Sequence, residues 1–256
     1  MAIAHLYYFV AGFATLIGET FGSLFGGGSF VVQPALLAIG IEPRVAIAND
    51  VAACAFSSFF FVGAALNKQS LDFKIVAWMS PAIVFGAIIG GLALFQIPDR
   101  VETWVVVGVC CIGLLYNLFR IYKPASDENE HVDSFKHWQL PAIIVGTALG
   151  IYDGLSGAGS GILIIASLTM LFHKDMKATL ILANFLSMIS LASAGLTFWR
   201  LGLLDINLMI FMIPASCLAG ILAARIVHIV SERGLRMTFV CVVGLLILSL
   251  ATRFFH

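Results

Sequence analysis

The chain has 256 residues, 61% of them hydrophobic and 11% charged, with fourteen Lys and Arg matched by fourteen Asp and Glu; its mean hydropathy is +1.03. A soluble domain carries about 25% charged residues, so the composition excludes a water-soluble globule and implies an all-α polytopic membrane protein. A net charge of zero with no basic tract leaves nucleic acid without an electrostatic footing.

Crossing the hydrocarbon takes roughly 20 apolar residues at a rise of ~1.5 Å each, so the length allows about ten closely connected spans. In chain order the apolar runs fall at 5–25, 29–39, 44–66, 73–96 and 101–119, then at 138–155, 160–172, 178–199, 204–224 and 235–252. Met1 to His5 contains no Lys or Arg, so the first run lacks the basic flank of a cleaved leader and is expected to be a mature helix. The one long hydrophilic stretch, 120–136, divides the chain into a first repeat (1–119) and a second (137–256). The five cysteines, Cys54, Cys110, Cys111, Cys217 and Cys241, lie in apolar runs without metal-type spacing and are read as small core residues. No metal or organic cofactor is implied.

The second run of each set is too short for an ordinary span and follows a glycine cluster, Gly22-Ser-Leu-Phe-Gly-Gly-Gly-Ser29 in one half and Gly154-Leu-Ser-Gly-Ala-Gly-Ser-Gly161 in the other. A shift of 132 positions overlays Gly18 on Gly150, Gly22 on Gly154, Gly27 on Gly159, Ser58 on Ser190 and Gly63 on Gly195. One further residue aligns Asp72 with Asp205 and Pro81 with Pro214. These matches imply an internal repeat.

If all ten runs cross, one face holds Lys68, Lys74, Arg120, Lys123, Lys136, Lys174, Lys177, Arg225, Arg233 and Arg236, and the other only Arg44, Arg100, Arg200 and Arg253. Re-entrant short runs would instead divide the fourteen residues seven and seven. The asymmetric count favours ten crossings, with 120–136 in the cytoplasm and both termini outside. Five crossings per half then make two inverted repeats, each with a short broken half-helix second, a recurrent plan among secondary transporters.

Glycine lowers helix propensity by about 1 kcal/mol relative to Ala, so both clusters are expected to open the helix. Opened backbone at membrane depth survives only in protein or beside a wet cavity, and the half-helix beyond each opening would turn free N–H groups and a positive dipole end toward it. Gly26, Gly27, Gly28, Ser29, Gly157, Gly159, Ser160 and Gly161 are therefore candidate anion ligands, with Gln33, Asn49 and Asn184 as further donors. Glu19, Asp50 and Asp153 are carboxyls in or near apolar runs, where a charge costs about 2.5 kcal/mol or more, which makes them candidates for proton coupling. Arg44, just after Pro43, fits an interfacial anchor.

Gly22-Ser-Leu-Phe-Gly-Gly-Gly-Ser-Phe-Val-Val-Gln-Pro34 with Gly40-Ile-Glu-Pro-Arg-Val-Ala46 and Asn49 resembles the first-half signature of the TauE/SafE family of sulfite and organosulfonate exporters. Gly154-Leu-Ser-Gly-Ala-Gly-Ser-Gly161 with Lys174-Asp-Met-Lys-Ala178 and Asn184-Phe185 resembles the second, although Ala166 stands where Pro34 has its counterpart. The resemblance covers 10–252 and implies a multi-pass transporter in the bacterial inner membrane that exports a small anionic solute, sulfite or a short organosulfonate, by alternating access. A passive anion channel of the same architecture is the alternative; monomer and homo-oligomer both stay open.

An intramembrane serine protease could cite Gly154-Leu155-Ser156-Gly157, but such a serine needs a base within reach. His5, His131, His137, His173, His228 and His256 all fall in loops or near span ends, so an enzyme is not expected. The topology has a direct check. Cysteines introduced as Asp127→Cys and His256→Cys should react with an impermeant thiol reagent from opposite faces; labelling from the same face contradicts an odd number of crossings per half.

Overall fold

The computed structural model describes residues 2–66, 71–93, 139–155, 157–172 and 176–231, with 233, 234, 237, 238 and 241. Runs 101–119 and 120–136 and most of 235–252 lie outside the described residues. Those described form eight helices: α1 (Ala2–Phe25), α2 (Ser29–Ala38), α3 (Pro43–Ala65), α4 (Phe73–Ala93), α5 (Gln139–Leu155), α6 (Ser160–Phe172), α7 (Met176–Arg200) and α8 (Ile206–Ile229). Five of them, α1 from Tyr7 onward, α3, α4, α7 and α8, are long and apolar enough to cross a membrane.

The ends of the helices follow from local chemistry. Pro43 opens α3, a position where its missing N–H costs nothing. Asp205 caps α8 by accepting the Asn207 N–H at 2.8 Å. Pro81 and Pro214 sit inside α4 and α8, as membrane helices tolerate when their neighbours re-satisfy the freed backbone. Some helical hydroxyls return to their own backbone: Thr15 donates to the Ala11 carbonyl at 2.8 Å and Thr169 to that of Ile165 at 2.6 Å.

Small residues set how closely the spans approach. A Cβ on Gly86 or Gly90 of α4 would run into the Thr147 or Ile151 carbonyl of α5, and one on Gly150 or Gly154 of α5 would meet the Ile83 or Ala87 carbonyl of α4. Helix α8 packs on α1 and α3, with Gly220 against the backbone of Ser57 and Phe61 and Gly12 against Phe211. Helices α3 and α7 meet at the centre, with Gly195 against Ala52.

The larger core joins Ile162, Leu163, Ile164, Ile165 and Leu168 of α6 with buried residues of α1, α3, α4, α5, α7 and α8. Helix α2 buries only Ser29, Val32 and Leu36, against a smaller cluster that includes Ala11, Ala46 and Met212. Phe9, Phe13, Phe59, Phe85, Trp199 and Ile206 point outward, as suits a protein whose solvent is lipid.

Candidate functional site

The two helix breaks are built alike. Helix α1 ends where Gly26 turns left-handed (φ 81°) and donates its N–H to the Gly22 carbonyl at 2.6 Å. Helix α5 ends with Gly157 (φ 65°), whose N–H reaches the Tyr152 carbonyl at 3.4 Å. Left-handed closures of this kind suit glycine, which has no Cβ to clash.

Other groups satisfy the exposed backbone. The Tyr152 hydroxyl donates across the second break to the Ala158 carbonyl at 2.6 Å. Asn184 Nδ2, from α7, donates to the Ser23 carbonyl in the last turn of α1 at 2.9 Å and to its own Leu180 carbonyl at 2.9 Å. The Ser23 and Ser57 hydroxyls share a hydrogen bond of 2.8 Å.

Beyond each break a short helix restarts. The α2 ladder begins with Phe30 N–H to the Gly27 carbonyl and Val31 N–H to that of Gly28, and Gly28 at the N-cap offers no side chain. The α6 ladder begins in the same way, with Ile162 and Leu163 donating to the Gly159 carbonyl. The first N–H groups of such helices have no intrahelical acceptor. The two restarts touch: a Cβ on Gly26 would collide with the backbone of Gly161 and Ile162, and one on Gly161 with Gly26.

A cavity of about 30 Å³ lies at this contact, room for roughly two water-sized groups. Gly26, Gly28, Ser29, Gly157, Ser160, Gly161 and Asn184 line it, as do Ser23 of α1, Cys54 and Ser58 of α3 and Ser187 of α7. No Lys, Arg or His is among the lining residues. Each helix N-terminus carries about half a positive charge and favours an anion by about 0.3–1 kcal/mol, up to ~2 where partly buried. A hydrogen bond to a charged group adds about 1.5–3 kcal/mol, so two termini with several N–H and hydroxyl donors can hold an anion without a basic side chain.

The other sequence candidates lie nearby in different settings. Gly27 and Gly159 are buried within the breaks and give their carbonyls to α2 and α6. Gln33 Nε2 donates to Asp50 Oδ2 at 2.9 Å, tying α2 to α3. Asn49 is fully buried and serves the turn between α7 and α8, accepting the Asp205 N–H at 3.1 Å and donating to the Leu203 carbonyl at 3.4 Å. Arg44 is exposed at the start of α3.

Glu19, Asp50 and Asp153 are each fully buried. Glu19 faces Asp50, Cys54 and Ser57, and its Oε2 lies 3.8 Å from where a Cβ on Gly22 would stand. Asp50 faces Ser29 as well as Gln33, and Asp153 faces Ser160 and Ser190. Both oxygens of Glu19, both of Asp153 and Oδ1 of Asp50 lack a hydrogen-bond partner at bonding distance.

Ser23, Cys54, Ser58 and Ser187 were not singled out as ligands from the sequence. Cys54, expected in the core, instead stands on the cavity wall, Cys217 is half-exposed and Cys241 is exposed; Cys110 and Cys111 lie outside the described residues. The signal for the α3 wall was small polar residues one turn apart, Cys54 and Ser58, in an otherwise apolar span.

Long apolar helices around two glycine-broken half-helices define a multi-pass α-helical membrane protein. The sequence profile described as "Sulfite exporter TauE/SafE" matches residues 9–250, and the chain belongs to that family. It is similar to "Probable membrane transporter protein YjnA" of Bacillus subtilis (strain 168), 24% identical over 220 residues, 80% of this chain and 84% of that one. It is likewise similar to a "Probable membrane transporter protein" of Haemophilus influenzae, 26% identical over 240 residues, 89% of this chain and 85% of the relative. With "Probable membrane transporter protein YfcA" of Escherichia coli (strain K12) it shares 29% over 159 residues, 58% of this chain and 54% of that one. No solved structure matches the chain. The chain is thus a membrane transporter of the TauE/SafE type.

The contact between the breaks generates a paired test. Gly26 and Gly40 both have positive φ, 81° and 87°, but nothing lies within 4 Å of a Cβ on Gly40. Gly40→Ala should cost only backbone strain, about 1–2 kcal/mol, and leave transport within about twofold of wild type. Gly26→Ala adds a collision with the Gly161 backbone and should lower transport more than tenfold in protein that still inserts, as measured by flux per inserted molecule.

Proposed function

We propose that the chain is a secondary transporter that exports a small oxyanion, sulfite or a short organosulfonate, across the bacterial plasma membrane by alternating access. The observation that carries this reading is the convergence of the α2 and α6 N-termini on one small cavity lined by glycines and serines, with no basic side chain among the described residues that line it. The cavity as described is smaller than an oxyanion, so the two termini part to admit one, and a substrate held between them is recognised by backbone N–H groups and serine hydroxyls, which suits oxygen-rich anions with several acceptors. The family description and the names of the relatives agree with transport of this kind.

Two inverted halves of five spans belong to the same proposal. In its support, the helix pairs correspond under the exchange of α1 with α5, α2 with α6, α3 with α7 and α4 with α8. The close pair α4–α5 has α8–α1 as its counterpart, and α3–α8 has α7–α4. Alternating access follows when one half rocks on the other about the central α3–α7 contact. At ~1.5 Å per residue α2 is roughly 15 Å long, half of a hydrocarbon core of about 30 Å, a length that suits a half-helix whose N-terminus lies near mid-depth.

Purified protein in proteoliposomes tests the proposal. Sulfite efflux should saturate with concentration, and unlabelled sulfite outside should accelerate exit of labelled sulfite. Efflux linear in concentration and without counter-transport would favour the passive channel; flux no faster than in protein-free vesicles for sulfite, sulfoacetate and sulfate would remove oxyanion export.

A further inference from the structure

We propose that Asp50 and Asp153 are built-in competitors of the transported anion: the two carboxylates stand beside the half-helix N-termini while the site is empty, and the pair takes up one proton when the anion arrives. This rests on the exporter reading and adds to it the form in which the anion leaves, accompanied by a proton instead of as a bare charge.

The placement of the two residues carries the inference. Asp50 faces Ser29, the first residue of α2, and Asp153 faces Ser160, the first residue of α6. Both serines line the cavity. Both carboxyls are fully buried, and three of their four oxygens have no hydrogen-bond partner. They come from different elements, α3 and α5, yet each meets the half-helix of its own half of the chain.

A helix N-terminus favours negative charge whatever its source. An empty site therefore attracts the neighbouring carboxylate, and an arriving anion needs the same N–H groups and hydroxyls. The two negative charges cannot share them: like charges in a buried site disfavour each other strongly, and among the described residues no cationic side chain lines the cavity to offset them.

The other titratable groups that face the pair make the conflict sharper. Glu19 of α1 faces Asp50, and Cys54 of α3 lies among Glu19, Asp50 and Asp153. Helix α2 presents Ser29 and Gln33 to Asp50, and α6 and α7 present Ser160 and Ser190 to Asp153, none of them charged. Protonation of the carboxylate resolves the conflict.

The balance is carboxylate plus H⁺ plus anion giving the neutral carboxylic acid and bound anion, with the proton drawn from the water on the side to which the cavity is open. Release on the other side reverses it. One monoanion moved with one proton carries no net charge, so the solute and pH gradients together set the direction of export and the membrane potential does not.

Calorimetric titration of the full chain in detergent with isethionate tests this, because a sulfonate stays ionised throughout and any proton taken up belongs to the protein. Titrations in two buffers of different ionisation heat should give about one proton bound per isethionate, with affinity falling up to tenfold per pH unit as pH rises. Asp153→Asn and Asp50→Asn, made separately so that a folding defect in one does not decide the matter, should still bind isethionate while taking up fewer protons, with a flatter pH dependence. Binding by wild type with no proton uptake, or uptake unchanged in both variants, overturns the competition. So does efflux from proteoliposomes that accelerates with an inside-negative potential and moves no protons. Failure of wild type to bind isethionate at all would strike instead at the exporter reading beneath it.

Discussion

Backbone polar groups cannot be left bare in hydrocarbon, and the rest of this structure depends on how the chain meets that constraint at two places where it stops being helical. Gly26 and Gly157 close the preceding helices in a left-handed conformation. The Tyr152 hydroxyl and the Asn184 amide then take up carbonyls that the breaks expose. Once those groups are satisfied from within, the N–H groups at the starts of α2 and α6 are the ones left facing a cavity. The packing of Gly26 on Gly161 brings both restarts to the same point.

On the proposed reading, glycine and serine serve where lysine or arginine would be the obvious choice. A fixed cation buried there would be costly, and in the proposed cycle it would hold an anion on both sides. Helix termini offer partial charges and directional donors, a weaker hold that fits a carrier obliged to release what it binds. Carboxyls stand beside the same termini, Asp50 facing Ser29 and Asp153 facing Ser160, and under the proposed competition theirs is the charge that a substrate replaces. Gln33, bonded to Asp50, links the half-helix to the central span α3.

Much of the fold was legible because it is local. The expected runs 29–39 and 160–172 correspond to Ser29–Ala38 and Ser160–Phe172, since glycine propensity and apolar length act within a few residues. The last described helix continues to Ile229, five residues past the expected end at 224, because Arg225 and His228 can be carried in its final turn. What could not be read was which face each long helix turns to the breaks. Asn49 and Asn184 look equivalent as polar residues in apolar spans, yet one serves the turn at 203–205 and the other reaches Ser23, 161 positions away. Cys54 and Ser187 join the cavity only through the crossing of α3 and α7, which depends on small residues such as Gly195 and Ala52 at their contact.

That the two half-helix N-termini hold one anion between them is the central claim, and anomalous scattering tests it most directly. In crystals of the full chain soaked with selenite, a selenium-bearing counterpart of sulfite, a single anomalous peak is expected within hydrogen-bond reach of the Ser29 and Gly161 amides together. A peak bound to one terminus alone, or located away from the Gly26 to Gly161 contact, would contradict the two-ended site.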